Sequence, residues 1–488
     1  MTAREIFTLE KASYFIGSEI FPDQLLDKRL PVNFRADSRL VTPGDGFIAM
    51  RGARDDGHSY IKEAVKAGAA CIMLEKGYFA KHREELAELG ASFIPVEDTL
   101  MGVTRLARAW LNEISPKVIG ITGSVGKTTT REFLNHALKD NFKAHSAIKS
   151  YNTLIGTSIT ILSMPADTEI LILEMGTNHP GEIREMVRNF PISHAIITEV
   201  SEAHLDGLGS IDGVLAAKME IAESEALEYL SYNSDNELLS AAVAKMPEGE
   251  KIKRNGIRQM GVGYSNSVIR ISDVRQAFSR LFEAGLFVTL SAGERRVLCQ
   301  APIFGKQHAK NIGFAYAASL QMGLDDEAFT KAAKTFRVPT GRGVIKKVGN
   351  ECVLIDETYN ASPTSISHAI KNLLEMETPS DFKRIAVLGG MRELGAESDR
   401  LHEVILNRAA LLDDVYLIGR EWNELRRKPD VVRGMWESVE EFASDFEFSK
   451  FNKSVILLKG SRSYELERLT TRLKYTESVG TEGSGGKC

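Results

Sequence analysis

The chain is poor in cysteine. Four are spread over 488 residues, Cys71, Cys299, Cys352 and Cys488, and no two form a Cys-x-x-Cys pair. That spacing excludes a thiolate metal clip and a disulfide scaffold, and it leaves reduced thiols, as expected of a cytoplasmic protein. A basic excess is also missing. Lys and Arg number 61 against 66 Asp and Glu, a formal net charge of -5, so no nucleic-acid partner is expected. No stretch approaches the ~20 apolar residues of a membrane span. The start, Met1-Thr-Ala-Arg-Glu-Ile-Phe, has no apolar run behind a basic head, so no signal peptide is expected.

What is present is an ordinary globular composition, 43% hydrophobic and 26% charged, on a chain too long for one core. Domains of ~100–200 residues predict two to four of them. Three blocks emerge. Residues 1–100 carry short apolar runs at 69–75 and 92–96 around helical stretches, the pattern of a small α/β unit. Residues 101–338 open with the strand Lys117-Val-Ile-Gly-Ile-Thr and a helix from about Thr129 with Phe133, Leu134, Ala137 and Leu138 on one face. Further strands are predicted at 169–174 and 194–198, with strand-like runs at 260–300, and strands alternating with helices imply a parallel sheet. Residues 339–476 predict a doubly wound, Rossmann-like sheet with strands at 353–356, 384–388, 415–418 and 455–458. No G-x-G-x-x-G follows the first of these, which argues against a nicotinamide cofactor. Residues 477–488, rich in Gly and Ser, read as a flexible tail.

Between the strand at 117–122 and its helix lies Gly123-Ser124-Val-Gly126-Lys127-Thr128-Thr129. Glycines let backbone N–H groups turn inward around phosphate oxygens, and a helix N-terminus adds partial positive charge. Lys127 is placed to bridge the outer phosphates and the Thr128 hydroxyl to ligate Mg²⁺, so ATP is the expected ligand. The full Walker pattern would need glycine at position 121, where Ile121 stands.

From this loop onward the chain resembles the Mur ligases, ATP-dependent amide-forming enzymes of peptidoglycan synthesis. Ser150-Tyr-Asn-Thr-Leu-Ile-Gly156 is similar to the family's S-Y-N-N-x-x-G, and Glu174-Met-Gly-Thr-Asn-His-Pro-Gly-Glu-Ile183 to its E-x-G-x-N-x-P-G-E-I. Glu202-Ala-His204-Leu, Gly209-Ser, Ala217-Lys218-Met-Glu-Ile and Asn233-Ser-Asp235 continue the likeness. In the third block it is carried by Asp356-Glu-Thr-Tyr-Asn-Ala-Ser-Pro363, Val387-Leu-Gly-Gly-Met-Arg-Glu-Leu-Gly395 and Lys459-Gly-Ser-Arg462. In the first, Asp37-Ser-Arg39, Pro43-Gly-Asp45 and Asp56-Gly-His58 resemble the domain that holds a UDP-sugar.

The resemblance implies three domains: a small N-terminal α/β domain for the UDP-sugar, a central P-loop-type ATPase domain, and a C-terminal Rossmann-like domain. It implies a carboxylate activated as an acyl phosphate and attacked by an amine. The Y-N-A-x-P and L-G-x-M-x-E-L-G runs, with no D-N-P-R motif, point to the branch that joins D-alanyl-D-alanine to a UDP-N-acetylmuramoyl-tripeptide. The implied partners are these small molecules and ATP, and a monomer is expected. Gly123, Ser124, Gly126, Lys127, Thr128, Thr129, Asn311, Arg342 and Asp356 would bind ATP. Thr128, Glu174, His204 and Lys218 would serve the metal, with Lys218 matching a lysine that is carbamylated in relatives. Lys127, His204 and Lys218 would be catalytic, and Ser38, Arg39, Asn152, Tyr359 and Asn360 would contact substrate.

The departures from the family pattern are Thr153 and Glu199 in place of asparagines, Gly390 in place of an aspartate, and Gln307-His308 within Gly305–Asn311. They bear on the amine. A relative joining another carboxylate and amine, and a non-ligating ATP-driven switch, are the alternative readings.

Overall fold

Three sheets, one for each block, organise the chain in the computed structural model. It describes residues 8–22, 30–31, 33–52, 55–147, 151–246, 257–265, 267–278, 284–338, 340–348, 352–376, 378–423, 425, 428–446 and 453–472. Ser150, Pro339 and the expected tail 477–488 lie outside these residues.

The N-terminal sheet has four parallel strands in sequence order, Phe34–Arg35, Gly46–Ile48, Cys71–Glu75 and Ser92–Val96. Asp98 caps the next helix, Thr99–Ile114, by accepting from the Met101 amide at 2.8 Å. This helix runs across residue 100 and brings Trp110 against the central domain, where the indole N–H donates to the Met164 carbonyl at 3.1 Å. The first two domains are thus joined through a helix rather than a loop.

The central sheet has nine strands. Its parallel part runs Ala144–Ser146, Ile170–Glu174, Lys117–Thr122, His194–Ile197, Tyr229–Asn233, Arg258–Gly263 and Ile269–Phe278. Ile170–Glu174 and His194–Ile197 are buried at every position, as strands covered by helices on both faces should be. The helix Lys127–Leu138 covers one face through Phe133, Leu134, Ala137 and Leu138, all 0–1% exposed. It begins two residues before the expected Thr129.

The run expected as strands near 260–300 departs from a purely parallel sheet. Ile269–Phe278, Ala284–Ala292 and Arg295–Ala301 pair antiparallel. A two-residue connection, Gly293-Glu294, with Gly293 at φ +61°, can only reverse the chain into an antiparallel neighbour. Arg295–Ala301 accordingly alternates buried and exposed residues after its first two positions.

The C-terminal sheet runs Val344–Val348, Cys352–Asp356, Ser454–Lys459, Lys383–Gly389, Asp414–Ile418 and Val432–Trp436. Only its first pairing is antiparallel. The strand C-terminal ends of this sheet and of the central one face a common cleft, the edge where open α/β sheets bind ligands.

Candidate active site

Thr122, Glu174 and Ile197 end neighbouring central strands, and the glycine loop rises from the middle one. Gly123 sits at φ +143°, and a Cβ there would stand 2.1 Å from Thr198 Oγ1. Gly126 caps the helix at φ +90°, where a Cβ would meet Asn311 Oδ1 at 2.7 Å. Both glycines are required by conformation and by space. Lys127 folds back onto its own loop, donating from Nζ to the Gly123 carbonyl at 2.6 Å. Burial pushes its ammonium below the usual lysine range, with Glu174 opposing the shift. An anion arriving in the loop would give this cation the partner it lacks.

Thr128 donates to Glu174 Oε2 at 2.9 Å, and Asn152 donates to Oε1 at 3.4 Å. Arg131, 1% exposed, places Nη1 at 3.6 Å from the same carboxylate, which is itself 2% exposed. Arg342 of the C-terminal block donates from Nη2 to Thr128 Oγ1 at 2.9 Å, and its guanidinium lies 4.0 Å from the Tyr359 ring centroid. Gly341 and Gly343, at φ +78° and +92°, turn the chain on either side of it.

Lys127, Thr128, Asn152, Glu174, Arg342 and Tyr359 line a cavity of about 840 Å³ between the central and C-terminal domains. Of the residues expected at the site, Ser124, Gly126, Lys127, Thr128, Thr129, Asn152, Glu174, His204, Asn311, Arg342, Tyr359 and Asn360 line it. A second cavity of about 290 Å³ shares Lys127, Asn152 and His204 with the first and opens between Leu154, Ile155, Thr177, Asn178 and Glu185. The phosphate end of the site is therefore reached from two sides.

Of the expected residues, Asp356, Ser38, Arg39 and the buried Lys218 line neither cavity. Asp356 is fully buried within its own domain: Lys346 Nζ donates to Oδ2 at 3.0 Å and Thr358 Oγ1 to Oδ1 at 2.7 Å. It does not line the cleft in this structure. The side chain that reaches the cavity is its neighbour Glu357, paired with Lys459 at 3.0 Å. Ser38 and Arg39 form a single turn on the N-terminal domain, where Arg39 is held by Asp37 at 2.8 Å, away from both cavities.

The metal residues divide into two sets. Thr128 and Glu174 touch, and their oxygens suit Mg²⁺, which keeps several waters and takes one or two protein ligands beside phosphate. Among the described residues no cluster of three or more His, Cys, Asp or Glu could hold a metal without such help. His204, at φ +54°, turns Nδ1 close to the Glu393 carboxylate of the C-terminal domain, without an aligned hydrogen bond. Lys218 is 0% exposed, and its Nζ meets no hydrogen-bond partner among the described residues. Burial pushes its pKa well below the lysine range, and Lys127 adds to the shift.

Several departures from the family pattern make local structural contacts, and Glu199, Gln307, His308 and Thr153 also line the cavities. Thr153 caps the helix Leu154–Leu162 by accepting from the Gly156 amide at 3.4 Å. Glu199 accepts from Asn233 at 2.7 Å, and Lys310 ties Asn233 and Asp235 together at 2.9 and 3.0 Å. A side chain at Gly390 would collide with Glu421 Oε2 at 2.4 Å. His308 lines the cavity with Nε2 unpartnered among the described residues; burial brings its pKa down to about 4. Glu357 and Glu393 were not singled out as site residues in the sequence, because nothing in their spacing shows that they converge.

A three-domain α/β chain with a phosphate loop facing a second domain across a cleft is the architecture of an ATP-dependent ligase. The chain belongs to the Mur ligase family. The Mur ligase middle domain matches residues 121–319, the glutamate ligase domain residues 341–462, and the Mur ligase catalytic domain residues 33–110. It is 32% identical over 368 residues to the UDP-N-acetylmuramoyl-tripeptide–D-alanyl-D-alanine ligase of Bacillus subtilis (strain 168), covering 75% of each chain. It is 30% identical over 398 residues to the ligase of the same name from Synechocystis, covering 80% of each. Among solved structures, a MurF ligase from Thermotoga maritima in complex with ADP superposes with a TM-score of 0.74 at 26% identity, over 90% of this chain and 96% of that one. A MurF from Acinetobacter baumannii shares the fold, with a TM-score of 0.79 at 23% identity, over 95% and 98%.

Proposed function

We propose that this chain joins D-alanyl-D-alanine to UDP-N-acetylmuramoyl-tripeptide with cleavage of ATP to ADP, a step in peptidoglycan precursor synthesis. The observation that carries the reading is the contact of Arg342 with Thr128 at the centre of a cavity built by two domains. Such a site holds a triphosphate next to a second anion and shuts water out.

The glycine loop binds the phosphates through its backbone N–H groups and Lys127. The tripeptide carboxylate enters from the Asn152 and Thr153 side and attacks the γ-phosphorus, releasing ADP and forming an acyl phosphate. Lys127 and Arg342 neutralise the oxygens that approach one another. The dipeptide ammonium gives a proton to solvent and the free amine attacks the acyl carbon; the C–N bond forms, the C–O bond breaks with its electron pair going to phosphate, and the second amine proton leaves with the phosphate. Thr128 and Glu174 would hold one Mg²⁺ and His204 a second; the ions supply charge neutralisation at the phosphates. Buried and unpartnered, Lys218 is suited to react as the free amine with CO₂, giving a carbamate and a proton. The carbamate would present oxygens to the metal edge. Ser38 and Arg39 are assigned to the UDP-sugar on the N-terminal domain. We take the protein to act as a cytoplasmic monomer.

The test is to incubate the protein with ATP, Mg²⁺, the UDP-tripeptide and the dipeptide and to follow products by mass spectrometry. A UDP-pentapeptide is expected. Its absence, with both substrates recovered intact, contradicts the reading.

A further inference from the structure

The C-terminal wall of the cavity is formed by a loop that the phosphate chemistry does not use. It follows the strand Lys383–Gly389 and is held at every step. The Gly390 amide donates to the Ile418 carbonyl at 2.8 Å, the Met391 amide to His402 Nε2 at 3.0 Å, and the Arg392 amide to Ser461 Oγ at 3.0 Å. Glu393 then takes φ +64°, a left-handed conformation that a non-glycine residue adopts only when its surroundings impose it. Gly395 packs so closely on the central domain that a Cβ would stand 2.7 Å from Asp206 Oδ1.

This backbone sends two adjacent, opposite charges in different directions. Glu393 turns to His204, on the phosphate side of the cavity. Arg392 turns to the C-terminal domain, where Nη1 meets Glu421 at 2.7 Å and Nη2 meets Tyr464 Oη at 3.1 Å. Those contacts use two of the five guanidinium donors, and the side chain is 55% exposed, so an open edge remains. The Glu393 side chain is 54% exposed. Nearby, Lys459 pairs with Glu357 at only 6% exposure, while Arg462, paired with Glu467, and Lys371, 3.7 Å from Glu375, remain exposed.

We propose that Glu393 and Arg392 form a clamp for the incoming zwitterionic dipeptide, Glu393 taking its ammonium and Arg392 its carboxylate. The inference rests on the proposed function above, in which the second substrate is a dipeptide. The terminal charges of a dipeptide lie at most about 7 Å apart. Side chains diverging from neighbouring Cα atoms about 3.8 Å apart can span that length. The polarity also fits the reaction. The acid sits beside His204 and delivers the amine to the acyl phosphate, while the guanidinium holds the far end away from it. A planar fork matches a carboxylate better than a point charge does.

Steady-state kinetics of the full chain with D-alanyl-D-alanine and with its C-terminal amide test the clamp. Wild type should prefer the dipeptide over the amide at least tenfold in kcat/KM. Arg392→Gln should raise the KM for the dipeptide at least tenfold, leave the KM for ATP and UDP-tripeptide within twofold, and use dipeptide and amide about equally. Arg392→Lys should restore part of the preference. Glu393→Gln should raise the KM for dipeptide and amide alike, since both carry the ammonium. A merely structural loop would lower kcat, shift all three KM values together and preserve the preference against the amide in Arg392→Gln; that result overturns the clamp. If wild type turned over neither the dipeptide nor the amide with UDP-tripeptide present, the functional reading itself would fail, and the clamp with it.

Discussion

Arg342 donates to the hydroxyl of Thr128 across 214 residues of sequence, at 2.9 Å. One residue begins the phosphate-loop helix and the other stands at the entrance to the C-terminal domain. Neither domain alone completes the cation set around the phosphates. The proposed function therefore expects phosphate binding to depend on the two domains meeting here, with Arg342 the counterpart of Lys127.

Removing that counterpart should reduce chemistry more than binding. For Arg342→Ala we expect kcat to fall about 10²–10³-fold, the range for loss of one charge-stabilising donor. The dipeptide KM should change little. A purely nucleotide-anchoring role would instead raise the KM for ATP and spare kcat, which steady-state kinetics separate.

At the metal edge, Glu174→Gln removes a charge and almost no volume. Turnover should drop at least about 10²-fold while thermal unfolding stays within a few degrees of wild type. Lys218→Ala should also inactivate, and short carboxylic acids should partly restore it by supplying the missing oxygens. Near-normal activity in either variant would show that the metal is held elsewhere.

Two glycines distinguish required conformation from empty space. Gly126→Ala places a side chain at φ +90° and 2.7 Å from Asn311 Oδ1, so it should lose about 1–3 kcal/mol of stability together with nucleotide binding. Gly77→Ala, in the helix Lys76–Ala87 with nothing within 4 Å, should gain about 0.5–1 kcal/mol. Denaturant unfolding of the two variants checks both signs.

Much of this was legible from sequence and some was not. Buried parallel strands announce themselves as apolar runs, so Lys117–Thr122, Ile170–Glu174 and Ser454–Lys459 fall where expected. The glycine loop was legible because its backbone demands are local. The inward orientation of Asp356 was not legible because a strand-end acid can point into the cleft or back into its own sheet. Which it does depends on Lys346, a neighbour only in the folded pairing. The local roles of Thr153, which caps a helix, and of Glu199, which anchors two asparagines, were not legible because their partners are set by the fold. The meeting of His204 with Glu393 follows from how two domains dock, which no local pattern encodes.

Acid should weaken the fold through a buried histidine. Burial pushes His194 from the usual 6.5 down to about 4. Between those values the unfolded chain binds a proton that the folded chain does not, so stability is lost as pH falls through that window. His194→Phe keeps the stacking surface against Tyr229, whose ring centroid is 4.6 Å away, and removes the titration. Between about pH 7.5 and about pH 5 the variant should gain about 2 kcal/mol relative to wild type in urea unfolding. An unchanged difference would mean that His194 titrates normally.

The most direct test of the central claim is the substrate dependence of ADP release by the purified protein. The account predicts release at a steady rate only when ATP, UDP-N-acetylmuramoyl-tripeptide and D-alanyl-D-alanine are all present, with one amide formed per ADP. Rapid ADP release with ATP alone, unaffected by either of the other substrates, would contradict it.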